Sequence, residues 1–169
     1  MCENRTMRST RPYLAALFVA CAALLGIALY LQEQVGLEPC PMCILQRYAF
    51  TAIGIVALVG AIHGPRAGVA LKAYGVLLIV LALAGASVAA RQSYIQHYPP
   101  VVSSCGTDLE FLVNAFPISQ ALPKIFAGSG DCSEVHWRLL GLSIAEWALI
   151  WFVLIILGSA WLAFRRKAH

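Results

Sequence analysis

Residues 38–62 read EPCPMCILQRYAFTAIGIVALVGAI, a Cys-x-x-Cys pair (Cys40 and Cys43) at the mouth of an apolar run whose single charge is Arg47. A run of this length suits a bilayer, since about 20 residues of helix at about 1.5 Å each cover the hydrocarbon core. If residues 44–62 cross a membrane, two thiols sit at its edge with an arginine one helical turn beyond them. A metal site, a structural staple and a redox centre all fit that description, and the rest of the chain has to choose.

Three more runs of the same kind occupy residues 12–31, 70–90 and 143–164. The chain is 169 residues long, 60% hydrophobic and 12% charged, against about 25% charge in an ordinary soluble domain. A soluble core of this length has no use for four such runs. The expected class is therefore all-α: a single integral membrane domain over residues 1–169, built as a four-helix bundle in the lipid bilayer. The first run follows a basic head (Arg5, Arg8, Arg11) as a signal peptide does, but it exceeds the roughly 7–15 residues of a signal core. Phe18-Val-Ala-Cys21 is similar to a lipoprotein processing site, yet the apolar run continues past that cysteine. The expectation is an uncleaved first span.

Basic residues set the expected orientation. Arg5, Arg8 and Arg11 precede the first run, Arg66 and Lys72 flank the connection between the second and third, and Arg165, Arg166 and Lys167 follow the fourth. These eight of the twelve Lys and Arg share one side, which the positive-inside rule makes cytoplasmic, with both termini. All acidic residues except Glu3 fall on the other side or at its edge. The net charge of +4 thus reflects topology, and no basic stripe suggests nucleic acid. Loops over about residues 32–43 and 91–142 face outward. The tight connection at His63-Gly-Pro65 makes the second and third spans antiparallel neighbours, and short connections favour one up-down bundle. Gly26, Gly54, Gly60, Gly75, Gly85 and Ala86 are expected to let helices approach closely.

The long outer loop contains Leu109, Phe111, Leu112, Val113, Phe116, Ile118, Leu122, Ile125 and Phe126, interrupted by Pro117 and Pro123. Two readings stand side by side: a short amphipathic helix in the membrane interface, or a cap of apolar side chains over the bundle.

Six cysteines divide by this topology. Cys2 reads as a tail thiol and Cys21, within the first span, as a small buried hydrophobe. Cys40, Cys43, Cys105 and Cys132 fall on the outer side, where disulfides persist. A zinc site uses Cys-x-x-Cys spacing for half its ligands, but Cys105 and Cys132 are too far apart in sequence for the other half. A Cys105–Cys132 bridge would close a sizeable loop and suits a staple, worth roughly 3–4 kcal/mol by chain entropy. A Cys40–Cys43 bond closes almost nothing, so its use is better sought in exchange. Pro39 and Pro41 place the start of a helix near Cys43, where unpaired N–H groups and the positive end of the dipole favour a thiolate. Arg47, four residues on, shares that helix face. Snorkelling to lipid headgroups is its competing reading.

Taken together, these features resemble the DsbB family of disulfide bond formation proteins. The resemblance rests on EPCPMCILQR opening the second of four spans, one cysteine in each flexible part of the second outer loop, GSGDCSEVHW (residues 128–137) and GLSIAEW (residues 141–147). It implies a bacterial inner-membrane oxidoreductase that reoxidises a soluble periplasmic thiol oxidase, DsbA, and passes two electrons to a membrane quinone, ubiquinone or menaquinone. By position it makes Cys40 and Cys43 the quinone-linked pair, with Cys43 nearest the ring and Arg47 supporting quinone reduction. It makes Cys105 and Cys132 the pair that meets DsbA, with Cys105 forming the mixed disulfide. The family's histidine near the end of the third span has no direct match in Arg91-Gln-Ser-Tyr-Ile-Gln-His97. His97 is its displaced counterpart, or else Arg91 or Gln92 occupies the spot. Two other classes compete: an enzyme like vitamin K epoxide reductase, whose Cys-x-x-Cys is expected at the last span, and a structural or receptor protein with inert disulfides.

Overall fold

Each apolar run becomes one helix in the computed structural model, which describes residues 10–36, 39–65, 68–98 and 138–164. They are α1 (Arg11–Val35), α2 (Pro41–His63), α3 (Val69–His97) and α4 (Ile144–Phe164), and all four are long and apolar enough to cross a membrane. Successive helices pack on one another, α1 on α2, α2 on α3 and, most extensively, α3 on α4. Tyr13 of α1 lies against Gly158 of α4 and closes the ring.

The helix ends follow from local chemistry. Cys40 is the N-cap of α2 in extended conformation (φ −64°, ψ 160°), and Pro41 takes the first turn, where its missing N–H costs nothing. The helix therefore begins two residues before Cys43 and carries both cysteines in its opening turn. At its other end Gly64 adopts φ 61° and returns its N–H to the Gly60 carbonyl (2.8 Å), while the Arg11 guanidinium fills the space a side chain would need. The Thr10 hydroxyl donates to the Pro65 carbonyl (2.5 Å), tying the start of α1 to the α2–α3 turn.

The third helix departs furthest from the expected span of residues 70–90. It runs for 29 residues, about 43 Å at about 1.5 Å per residue, and overshoots a hydrocarbon core of about 30 Å. The extra turns carry Arg91 to His97, whose polarity reads as loop. Their inward face nonetheless continues the helical pattern, with Gly85, Val88, Ala89, Gln92 and Ile95 all buried.

Ahead of α4 stands a feature the sequence reading does not contain. Strands β1 (Arg138–Leu139) and β2 (Leu142–Ser143) pair antiparallel through Leu140 and Gly141, with φ 55° and 84°. Positive φ at both central residues is what a tight two-residue hairpin demands. Ser143 and Glu146 then form a capping box. The Ser143 Oγ accepts from the Glu146 N–H (3.3 Å), and the Glu146 carboxylate accepts from the Ser143 N–H (2.6 Å). Ser143 Oγ also donates to Gln96 Oε1 (2.7 Å), joining α4 to the overshoot of α3.

The core lies along the bundle axis. Phe50 and Phe152 stack at its centre with centroids 4.2 Å apart, among Ile53, Leu78, Ala82 and Ile155. Two glycines make this packing possible: a Cβ on Gly85 would run into the Phe152 ring, and one on Gly75 would lie 2.6 Å from the Ala163 Cβ. Gly26 does not act as expected, for nothing lies within 4 Å of the position its Cβ would take. Cys21 is buried (1% exposed) against Gly54, as a small hydrophobe in the core. Tyr30, Tyr48, Tyr94 and Tyr98 are exposed at the cysteine end of the bundle, as an interfacial aromatic belt requires.

Candidate functional site

The opening turn of α2 sets the site. Pro41 forces the turn after the N-cap, and the Ile44 N–H bonds the Cys40 carbonyl (3.2 Å), so Cys40 and Cys43 stand at N-cap and N3 of one turn. Their sulfurs lie 3.2 Å apart, with the Cys40 thiol donating toward Cys43 Sγ. Both sit where the unpaired N–H groups of the helix concentrate positive potential.

A side chain from α3 completes the arrangement. The Gln92 carboxamide nitrogen lies 3.2 Å from Cys43 Sγ and 3.4 Å from Cys40 Sγ. Its oxygen accepts from Gln46 Nε2 of α2 at 2.7 Å and stands 3.7 Å from Cys43 Sγ. Gln92 and Gln46 are 3% and 4% exposed, so this amide pair is sealed inside the bundle. A buried polar group is costly unless it is satisfied, and these two satisfy each other and the sulfurs.

Arg47 is half-buried and turns toward α1. Its Nη1 donates to Gln32 Oε1 (2.6 Å) and its Nη2 to the Ala28 carbonyl (3.2 Å). Both partners lie in the last turns of α1, where a cation is favoured by the helix dipole. The guanidinium therefore ties the last turns of α1 to the start of α2, beside the exposed Tyr48. His97 takes another direction. It is exposed, its Nδ1 donates to the Ser93 carbonyl (2.9 Å), and its Nε2 lies 3.7 Å from the Glu146 carboxylate of α4. Arg91 stacks over the Tyr94 ring at 5.6 Å. Of the three positions weighed at the end of the third span, the structure brings Gln92 to the sulfurs.

Cys105, Cys132 and the apolar segment between them, with its two readings, lie outside the described residues. So does Cys2. Gln46 and Gln32 were not singled out from sequence. The available signal was a polar residue inside an apolar run, three residues after Cys43 in the case of Gln46, since intramembrane polar groups tend to face function.

Comparison with known proteins gives the family. The family model described as disulfide bond formation protein DsbB matches residues 10–162. A disulfide bond formation protein B of Azoarcus sp. (strain BH72) is 52% identical over 162 residues, covering 96% of this chain and 97% of that protein. One from Aromatoleum aromaticum is 52% identical over 160 residues, covering 94% and 95%, and one from Polaromonas sp. (strain JS666) is 51% identical over 147, covering 87% and 86%. The match embraces all four helices and the cysteine turn, and with them the chain belongs to the DsbB family of disulfide bond formation proteins, multi-pass membrane disulfide oxidoreductases of the bacterial inner membrane.

Proposed function

We propose that this protein reoxidises a DsbA-like periplasmic thiol oxidase and delivers the two electrons to the membrane quinone pool through Cys40 and Cys43. The observation that carries the reading is the cysteine turn itself: a tight thiol pair, its sulfurs 3.2 Å apart, at the start of a helix long and apolar enough to cross a membrane. A bond between residues so close in sequence constrains little, so its value lies in exchange.

A dissolved protein cannot reach a carrier held in lipid, so electrons need two disulfides in series. In this reading the cysteine end of the bundle faces the periplasm and both termini are cytoplasmic. Cys105 accepts attack by the DsbA thiolate, forming the mixed disulfide while the electron pair leaves on Cys132. The second DsbA thiol then releases oxidised DsbA, and Cys105 and Cys132 are left reduced. Their thiolate attacks the Cys40–Cys43 bond, and a second exchange leaves Cys105–Cys132 oxidised and Cys40 and Cys43 as dithiol.

The residues around Cys43 suit a quinone, a flat ring with two carbonyl acceptors and an apolar tail. Arg47 offers a half-buried cationic donor at the lipid-facing edge between α1 and α2, one turn beyond Cys43. A quinone held there would supply a two-electron sink. Cys43 presents the thiolate, Arg47 stabilises negative charge on a ring oxygen, and Gln32 and the Ala28 carbonyl hold Arg47 in place. The test is purified protein with reduced DsbA and a ubiquinone or menaquinone analogue, following quinone absorbance and DsbA thiols together. Loss of two DsbA thiols for each quinone reduced is expected; DsbA oxidation without quinone reduction would remove the reading.

A further inference from the structure

The mechanism above leaves one buried feature unused: two glutamine side chains sealed against the redox pair. Gln92 Nε2 is within 3.4 Å of both sulfurs, and Gln46 Nε2 holds the Gln92 oxygen at 2.7 Å. An amide offers a donor end and an acceptor end of nearly the same shape. Gln46 Nε2 engages the oxygen of Gln92, which stands 3.7 Å from Cys43 Sγ, and the Gln92 nitrogen faces both sulfurs more closely. Charged groups on the packed elements are engaged elsewhere: Arg47 with α1, Arg91 over Tyr94, and His97 with Glu146.

We propose that Gln92 is a catalytic residue that stabilises the Cys43 thiolate through its carboxamide N–H, and that Gln46 is the positioning residue that keeps that N–H aimed at sulfur. The step it serves is disulfide opening. A thiolate attacking Cys40 Sγ forms a new S–S bond and breaks the Cys40–Cys43 bond. The electron pair departs on Cys43 Sγ, with no proton needed. At that moment Cys43, half-buried, gains full negative charge, and a fixed neutral donor stabilises it without the cost of burying a second ion. The Cys40 Sγ in the new bond needs no donor, so the Gln92 N–H serves Cys43 alone. The same contact then holds the thiolate that reacts onward.

The inference rests on the proposed reading of Cys40–Cys43 as the redox pair, but its test does not need quinone or DsbA. Full-length reduced protein in detergent is alkylated with iodoacetamide across pH 5–10, and modification of Cys43 is followed by peptide mass spectrometry. Gln92→Met keeps volume and removes the donor; on the acid side of the profile Cys43 should react about tenfold more slowly, equivalent to about one pH unit. Gln46→Met, which does not touch the thiolate, should slow it about threefold by letting the amide turn. The double variant should be no slower than Gln92→Met alone, because Gln46 acts through Gln92. Should Gln92→Met fail to fold, Gln92→Glu keeps shape and the bond to Gln46, and once ionised it should slow alkylation at alkaline pH to a similar degree. An unchanged profile in a folded Gln92 variant overturns the proposal even if quinone turnover persists, and additive single effects overturn the role of Gln46. A shifted profile upholds it even if DsbA and quinone turnover are absent, which would instead count against the function proposed above.

Discussion

At the scale of single residues, Arg47 combines two demands that a substitution can separate. Its guanidinium spans Gln32 Oε1 and the Ala28 carbonyl with two different nitrogens. A lysine offers one compact ammonium and cannot hold both while also facing a ring oxygen. If Arg47 only anchored α1 or reached for headgroups, Arg47→Lys would be nearly silent. With the proposed role, the quinone half-reaction should slow roughly tenfold in Arg47→Lys and more in Arg47→Ala, a fraction of the hundredfold or more seen when a buried oxyanion donor is lost. Exchange between DsbA and the outer cysteines should be unaffected. Stopped-flow measurement of the two half-reactions decides it, and an unslowed quinone step in Arg47→Ala leaves anchoring as the whole role. The position of Arg47 was legible in the sequence as a neighbour of Cys43 on one helix face. Its partners on α1 were not, because they depend on how two helices cross.

At the scale of elements, the spans were legible because apolar length is a one-dimensional signal, and their ends were not. The third helix outlasts its apolar run because Gln92 and Ile95 keep its inward face going after its outward face turns polar. The hairpin before α4 depends on Leu140 at positive φ, a conformation that a leucine does not advertise. Glycines make the same point energetically. Six small residues looked equivalent in sequence, yet Gly85 faces the rim of the Phe152 ring and Gly26 faces open space. Gly85→Ala should therefore destabilise the detergent-solubilised protein by about 1–3 kcal/mol, since Phe152 is stacked on Phe50 and cannot swing aside without leaving it. Gly26→Ala should be neutral or stabilise by up to about 1 kcal/mol through helix propensity. Thermal or denaturant unfolding of both variants checks the pair, and equal effects would mean that packing at Gly85 is looser than the ring contact implies.

At the scale of the whole molecule, orientation and relay are one argument, since a redox pair serves a periplasmic partner only if the cysteine end of the bundle faces it. A reporter active only outside the cytoplasm should work when fused after Gly106 and fail when fused after Gly64 or His169; activity at all three points would refute the orientation. The proposed relay was read from the side of the membrane expected for each cysteine and from the family resemblance, whereas the amide pair behind Cys43 required the packing of α2 on α3. That packing makes a sharper division of labour testable. Gln92 of α3, held by Gln46 of α2, gives the Cys40–Cys43 pair a donor inside the bundle. Removing Cys105 and Cys132 together should therefore abolish DsbA oxidation while leaving Cys40 and Cys43 open to oxidation by quinone at close to the normal rate. Cys40→Ser or Cys43→Ser should do the opposite, stopping quinone reduction while Cys105–Cys132 still undergoes one round of exchange with DsbA. Cys21→Ser changes a core side chain away from the pair and should leave turnover nearly unchanged. Single-turnover thiol counting with quinone absorbance distinguishes these cases. Full DsbA oxidation by the Cys105, Cys132 double variant would mean that DsbA reaches the membrane-edge pair directly, and the two-disulfide relay would have to be abandoned.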